Sequence, residues 1–311
     1  MKESNTLKGN LAMLTTKVIA GLNENAMRFL LPRWMSSYSG VFLRIVPATA
    51  FYWLVALFRR SKPAAGERQP NVSEKLLFMA LGAFFVFGYM WTLLEGLTYT
   101  TPISSSIFIS LEPVFVFLIN FLFFHYKFNA KKFIGIMIGL AGALICILTQ
   151  QKTELATDPF RGNMFCLGSA LLYSLYLILE KKLLNRGIVV YSANKWVFTG
   201  ASLSACVCAL CHPWYAPVLE QNVFSTPFLV LLFVVFGAGF FGYILVTIGL
   251  KDLSPVIVAI YGYVLLIVAT ITSYILGQDV FDWWQLLAIV LIVVSVYLVE
   301  IASNKPTPSR A

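Results

Sequence analysis

Lys17, Arg44 and Glu112 are ionisable residues set within stretches that are otherwise almost wholly apolar. An ionised group in an apolar medium is costly, so a chain keeps one there where it is paired, hydrogen-bonded or used. An ammonium or guanidinium in such a place can neutralise a carboxylate of the same chain or hold the carboxylate of a substrate. A glutamate there can receive an amine or a proton. A structural ion pair that only orients the segments carrying it stands beside these functional readings, and the sequence leaves both open.

The elements that position these residues are apolar runs of about twenty residues, the length with which a helix crosses the ~30 Å hydrocarbon core of a bilayer. Inside lipid every backbone amide must find its partner within the protein, which makes such runs spanning helices. Ten are legible, at 9–30, 39–58, 75–95, 102–124, 131–149, 162–181, 192–212, 226–249, 255–277 and 283–301. The composition agrees, with 59% hydrophobic residues, 12% charged residues and a mean hydropathy of +0.80. The expected fold is an all-α membrane protein with ten transmembrane helices. The first run is no cleavable signal, because Lys17 interrupts it and no small-residue cleavage site follows. At a rise of ~1.5 Å per residue, Lys17 lies about 13 Å beyond Lys8 and Glu112 about 15 Å beyond Pro102, both near the middle, while Arg44 is roughly 7 Å in from the outer face. Glu24 and Arg28, four residues apart near the outer end of the first span, are placed to pair. Glu95, Glu180, Lys195 and Glu300 lie close to helix ends and read as boundary residues that reach water.

Positive residues orient the chain, since loops rich in Lys and Arg stay cytoplasmic. With the N-terminus inside, the outer ends hold only Arg28, Arg33, Lys152 and Arg161, and Lys17, Arg44 and Lys195 lie within spans; the remainder of the 23 Lys and Arg falls on the inner side. An even number of crossings with both termini cytoplasmic, in a cell or inner membrane, follows. The net charge of +9 is thus a topology signal, and no basic cluster with interleaved aromatics points to nucleic acid.

Shifted by 153 residues, the sequence pairs with itself: Gly9-Asn10 with Gly162-Asn163, Leu30-Leu31 with Leu183-Leu184, Tyr38-Ser39 with Tyr191-Ser192, Gly96-Leu97 with Gly249-Leu250, and Pro102 with Pro255. Residues 1–150 and 151–311 are accordingly read as two five-helix repeats. An odd number of crossings makes the second copy enter from the opposite side, so the repeats are inverted, an architecture of secondary transporters whose sites lie at the midplane between the halves. The counterparts of Lys17, Glu112 and Arg44 are Ala170, Leu265 and Val197. Deep charge belongs to one half only.

Polar residues sharing helical faces outline a cavity. Thr101, Ser105, Glu112 and Asn120 fall on one face of the fourth span, and Ser169, Tyr173, Tyr176 and Glu180 on one face of the sixth. The first span offers Asn23, the third Gly88, Trp91 and Glu95, the eighth Gly239, Tyr243 and Thr247, and the ninth Tyr261. Aromatic rings beside a few charges suit a flat or cationic organic solute, though such rings also serve as packing and interface anchors. The candidate substrate-binding or coupling set is therefore Lys17, Asn23, Arg44, Trp91, Ser105, Glu112, Tyr173, Tyr176, Tyr243 and Tyr261.

Other signals carry less. Cys206, Cys208, Cys211 and His212 fall on one helix, where residues two apart point about 200° from each other, unlike the turn-borne ligands of zinc sites. No cofactor is expected. Asp158, Asp252, Asp279 and Asp282 all lie in loops, and neither His-Glu-x-x-His nor Gly-x-Ser-x-Gly occurs, so intramembrane catalysis is not expected. Gly135-x-x-x-Gly139 fits a close helix contact, within one chain or between two. Asn71-Val72-Ser73 is a glycosylation triplet in a loop placed inside, and His125 sits at an inner helix end.

Gly21-Leu22-Asn23, Arg44 within Phe42-Leu43-Arg44-Ile45, Gly96-Leu97-Thr98-Tyr99-Thr100 running into Pro102, Leu111-Glu112-Pro113-Val114, and Gly135, Gly139 and Gly142 occur in this order. Together they resemble the EamA-type permeases of the drug/metabolite transporter superfamily over nearly the whole chain. The pattern departs at His125 and Gln278, where members usually carry glutamate, at Leu265-Leu266 in place of a second Glu-Pro or Gly-Pro, and at Glu24 in place of a hydrophobic residue. The resemblance implies an inner-membrane carrier of small metabolites, often an exporter of amino acids or related solutes, that uses no ATP. It also implies a cavity lined by helices one, three, four, six, eight and nine, and a fifth and tenth helix that contribute to a dimer; a monomer and a homodimer both stay open. A coupling proton or counter-substrate, a lipid- or drug-translocating carrier and a non-transport scaffold are the other readings weighed.

Overall fold

The computed structural model describes residues 2–58, 67–124, 130–149, 154 and 156–303. Among them every regular element is helical: α1 (Lys2–Leu30), α2 (Ser37–Phe58), α3 (Val72–Tyr99), α4 (Pro102–Ile109, resuming as Glu112–Phe124), α5 (Ala130–Thr149), α6 (Pro159–Leu184), α7 (Val190–Cys211), α8 (Thr226–Asp252), α9 (Pro255–Ile260, resuming as Gly262–Ile275) and α10 (Trp283–Ser303). Six of these, α2, α3, α4, α6, α8 and α9, are long and apolar enough to cross a membrane; α5 and α10 carry shorter apolar stretches at Phe133–Cys146 and Trp283–Ser295. α1 and α7 are less apolar for a reason visible in the packing, since Lys17, Asn23, Glu24, Asn25 and Asn194 are buried within the bundle. His125 lies outside the described residues.

Helix starts follow local chemistry. Asn71 caps α3: its side chain accepts from the Glu74 amide at 2.9 Å while Glu74 accepts from the Asn71 amide at 3.0 Å, so the Asn71-Val72-Ser73 triplet forms a capping box. Thr101 and Ser254 cap the paired starts of α4 and α9 ahead of Pro102 and Pro255. Both helices then break in mid-course. At α4 the cause is Pro113, which has no N–H and whose ring crowds the carbonyl four residues back; the chain bridges the gap with the tight bonds Leu111 N to Phe108 O (3.0 Å) and Val114 N to Leu111 O (2.9 Å). This break means that Thr101, Ser105, Glu112 and Asn120 do not share one straight face; Asn120 turns back to its own helix at the Val116 carbonyl (2.7 Å).

The packing follows the 153-residue shift. α1 lies on α8 and α9, and its counterpart α6 lies on α3 and α4; α3 meets α7 as α8 meets α2; α2 pairs with α7, α4 with α9 and α5 with α10. Glycine contacts repeat as well. A β-carbon at Gly96 would lie 2.6 Å from Cys166 Sγ and 2.9 Å from the Gly162 carbonyl, and one at Gly249 would strike Met13 and lie 3.5 Å from the Gly9 carbonyl. Each member of one crossing is the shift partner of a member of the other. α3 and α8 both widen into π-helix, at Gly82–Val86 and Phe233–Gly242, again at equivalent places. Gly139 and Gly142 pack against Ser295 and Ala288 of α10, so the small-residue stripe of α5 serves a contact within the chain.

The two ends of the bundle are closed by related backbone clasps. At one, Arg68 N donates to Gly187 O (2.9 Å) and Val189 N to Arg68 O (3.1 Å); at the other, Val218 N donates to Trp34 O (3.1 Å) and Ser36 N to Tyr215 O (2.9 Å). Gly187 and Val189 are the shift partners of Trp34 and Ser36. The first clasp is ionic: Arg68 grips Glu74 through both oxygens at 2.6 and 2.7 Å, Arg186 reaches Glu74 at 3.5 Å, and Lys251 pairs with Glu67. The second is aromatic, with Tyr215 Oη donating to Arg33 O at 3.1 Å, Phe42 edge-on to Trp214 and the Arg33 guanidinium 5.2 Å from the centre of the Trp34 ring.

Where α3 crosses α7, a β-carbon at Gly82 would run into the Val197 carbonyl and one at Gly200 into the Met79 carbonyl. Gly200→Ala is therefore expected to cost about 1–3 kcal/mol through overpacking. Gly168→Ala, with nothing within 4 Å of the added carbon, should be neutral or stabilising by up to about 1 kcal/mol. Thermal melts of the two variants in detergent test this; equal melting points would refute the crossing.

Candidate functional site

The break in α4 places Glu112 in the first turn of the helix resuming there, where unpaired amides favour a carboxylate. Opposite it α1 delivers Lys17, whose Nζ donates to Glu112 Oε2 at 3.0 Å with both side chains 3% exposed. Lys17 also stands 5.5 Å from the centre of the Tyr173 ring of α6, within cation–π range. Further along α1, Glu24 accepts from Ser105 Oγ of α4 at 2.8 Å. From α2 comes Arg44, 5% exposed. Its Nε and Nη1 have no hydrogen-bond partner among the described residues, and the same is true of Asn23 Oδ1 and Tyr243 Oη.

These groups surround one cavity of about 640 Å³. Thr16, Lys17, Asn23 and Glu24 of α1, Arg44 of α2, Tyr89 and Leu93 of α3, and Ile109 and Glu112 of α4 form one side. Ser169, Ala170 and Tyr173 of α6, Ala238, Gly242, Tyr243 and Val246 of α8, and Leu265 of α9 form the other. The expected six lining helices all contribute, and α2 joins them through Arg44. Both charge signs come from the first half of the chain, while the second half supplies aromatic, aliphatic and hydroxyl surface. Tyr89 and Tyr173 meet edge-on with centroids 5.0 Å apart, and Ser169 Oγ donates to the Tyr89 carbonyl at 2.9 Å, tying α3 to α6 at the cavity wall. The π-segment of α8 ends at Gly242, whose carbonyl accepts from Thr16 Oγ1 at 3.4 Å; such bulges recur at functional sites.

Of the residues singled out in the sequence, Lys17, Asn23, Arg44, Glu112, Tyr173 and Tyr243 line this cavity. Ser105 lies just behind it, holding Glu24. Trp91 does not line it and instead packs among Tyr38 and Phe165 at centroid separations of 6.0 and 5.8 Å. Tyr176 is fully buried beside Glu180, and Tyr261 sits at the break of α9. The expected Glu24–Arg28 pair does not form: Glu24 turns inward to Ser105, and Arg28 Nη1 caps the end of α1 at the Leu31 carbonyl (2.9 Å), where the last turn leaves carbonyls in need of donors. Glu24 lines the cavity, and its spacing carried a signal of this, since it stands seven residues, or two turns, beyond Lys17 on the same face.

Two of the boundary assignments, Glu180 and Glu95, need correction too. Glu180 does not reach water: it is fully buried and accepts from Thr247 Oγ1 at 3.3 Å, because α8 covers that face of α6. Glu95 is 8% exposed and is held by Ser37 Oγ and by Arg161 at 3.4 Å. Lys195 lies over the rings of Trp53 and Trp196, at 4.5 and 5.1 Å. The side chain of Glu300 is outside the described residues. His212 stacks on Tyr38 at 3.9 Å, and among the described residues no group of three or more His, Cys, Asp or Glu could hold a metal.

Breaking one partner of a buried ion pair strands the other, at a cost of about 3–5 kcal/mol, whereas removing both can be nearly neutral. Lys17→Met and Glu112→Leu should each lower stability by that amount and the double variant should recover most of it. A double-mutant cycle on melting curves measures this; additive losses would show that the pair is not coupled.

The pattern of the EamA-like transporter family matches residues 7–148 and again 160–301. The uncharacterized transporter YyaM of Bacillus subtilis is 20% identical over 286 residues, covering 91% of this chain and 90% of that protein. Uncharacterized transporters of Methanothermobacter thermautotrophicus and Haemophilus influenzae are 25% and 27% identical over 60% and 58% of this chain, and 56% of each relative is covered. A solved crystal structure superposes with a TM-score of 0.63 at 17% identity over 98% of this chain and all of its own, a likeness of fold. With two matches that together span nearly all of its length, the chain is a multi-pass membrane protein of the EamA-like transporter family.

Proposed function

We propose that the protein is a secondary carrier that moves a small organic metabolite by alternating access. The observation that carries this reading is the cavity itself: a charged, partly aromatic space lined by helices from both halves of the chain. Concave sites lined by apolar and aromatic side chains with a few convergent polar groups take small organic ligands, and ionisable groups at membrane depth mark substrate or ion pathways. Residues 1–150 and 151–311 act as two inverted five-helix repeats, ten crossings in all, with both termini cytoplasmic in the inner membrane. The repeated packing pairs, the equivalent π-segments and the double family match support that division.

In this mechanism the two clasps alternate. Rocking one repeat against the other opens the Trp34–Val218 clasp while the Gly187–Arg68 clasp holds, then reverses them, so that the cavity faces each side in turn. The solute is an amino acid or a related amphipathic or aromatic compound, and export is the direction that the family resemblance favours. Lys17 and Glu112 form the part of the site that a coupling proton or a charged substrate would rearrange. The chain acts as a transporter and not an enzyme, and needs no cofactor.

Purified protein is first screened for metabolites that raise its melting temperature, at concentrations well above Kd because stabilisation grows only as RT ln(1 + [L]/Kd). The stabilising solute should then show saturable, nucleotide-independent flux in proteoliposomes, accelerated by the same solute on the far side. Glu112→Gln should lower that flux at least about tenfold, a change of about 1.4 kcal/mol in transport barrier. Full, pH-independent activity of the folded variant would remove Glu112 from coupling. Cysteine labelling that puts the two termini on opposite faces would end the inverted-repeat reading.

A further inference from the structure

The charges of the cavity do not cancel locally. Lys17 is matched by Glu112 at 3.0 Å, and Glu24 is held by a neutral donor, Ser105, at 2.8 Å. Arg44 has no acid within ion-pair distance among the described residues, although it is 5% exposed and lines the cavity. Its Nε and Nη1 go unused. Arginine offers only donors and no acceptor. Its planar guanidinium is suited to oxyanions, to which the two unpartnered nitrogens can donate on adjoining edges. Tyr243 adds an unused hydroxyl and Asn23 an unused carbonyl oxygen, both lining the same cavity and both buried.

We propose that Arg44 and Tyr243 bind the carboxylate of a small organic monoanion whose apolar or aromatic body lies between Tyr173 and Leu265, with a donor group next to the carboxylate engaging Asn23. This rests on the carrier reading above and names the chemistry of its substrate. A single carboxylate fits because Arg44 has no acid in contact among the described residues, while Glu24 and Glu112 balance the two cations of the cavity and leave no room for a second negative charge. A phosphate would bring a second charge against Glu24 and Glu112, which also line the space. The aliphatic and aromatic wall made by Leu93, Tyr173, Val246 and Leu265 offers the rest of the ligand apolar contact.

The test uses the purified full-length chain in detergent and four probes of one shape: mandelate, phenylacetate, mandelamide and phenyl phosphate. Mandelate and phenylacetate should raise the melting temperature at millimolar concentration, and mandelate should bind more tightly because its hydroxyl meets Asn23. Mandelamide, the uncharged match, should give no shift. Arg44→Gln should abolish the carboxylate response and Arg44→Lys should weaken it, since one ammonium cannot replace the guanidinium. Tyr243→Phe, which removes only a hydroxyl and keeps the ring, should weaken carboxylate binding by about tenfold and guards against a failure of the arginine variants to fold. An equal response to mandelamide, a stronger one to phenyl phosphate, no response to either carboxylate, or an undiminished one in Tyr243→Phe and Arg44→Gln would overturn the proposal. Nucleotide-independent flux of an uncharged or cationic solute with no carboxylate binding would sink this assignment and leave the carrier intact. Carboxylate binding without flux of any bound solute would do the reverse.

Discussion

Lys17 and Glu112 meet across the interior of a bundle where water is scarce, and much of the central architecture serves that meeting. A lone charge there has few ways to be accommodated; a matched pair 3.0 Å apart, with the carboxylate at the mouth of a resumed helix, has a good one. The pair needs α4 to stop and restart, which Pro113 enforces, and it needs α1 to lie close enough to deliver an ammonium. Gly9 and Gly249 seat α1 on α8, since their crossing admits no side chain without displacing Met13 or Leu253. Charge and helix break are thus parts of one arrangement.

The two halves are alike in frame and unlike in content. The crossings Gly96–Gly162 and Gly9–Gly249, the caps at Thr101 and Ser254, and the clasps at Trp34 and Gly187 obey one shift. The cavity does not. Lys17, Arg44 and Glu112 have Ala170, Val197 and Leu265 at the equivalent places, so an approximately symmetric frame holds an electrostatically one-sided site. The ends differ in the same manner: the Arg68–Glu74–Arg186 group makes one clasp ionic, whereas Tyr215, Trp214 and Phe42 make the other aromatic. Backbone geometry is what the frame must preserve for the halves to pack. Side chains inside it are free to specialise.

Periodic hydrophobicity, the positions of prolines and the self-match at 153 residues were enough to locate the helices, because length and apolarity act locally and need no knowledge of neighbours. Lys17, Arg44 and Glu112 stood out for the same reason, as charges within apolar runs. Glu24 was harder: an arginine four residues away gave it a ready local partner, and only the approach of α4 supplies the Ser105 hydroxyl that it takes instead. Glu180 misled in a similar way. Its position near a helix end suggested water, but α8 with Thr247 covers it.

The sequence by itself determined the helical class, the membrane setting and the identity of the deep charges, all of which follow from residue type and spacing along one chain. Tertiary structure decided which charges pair, that Arg44 has no acid within ion-pair distance among the described residues, that Trp91 and Tyr176 do not line the cavity, and that α5 spends its glycines on α10. Hydrogen bonds and ion pairs reach only a few ångströms, so partners are chosen by how helices cross. That choice depends on contacts between residues far apart in the chain, which periodicity does not record.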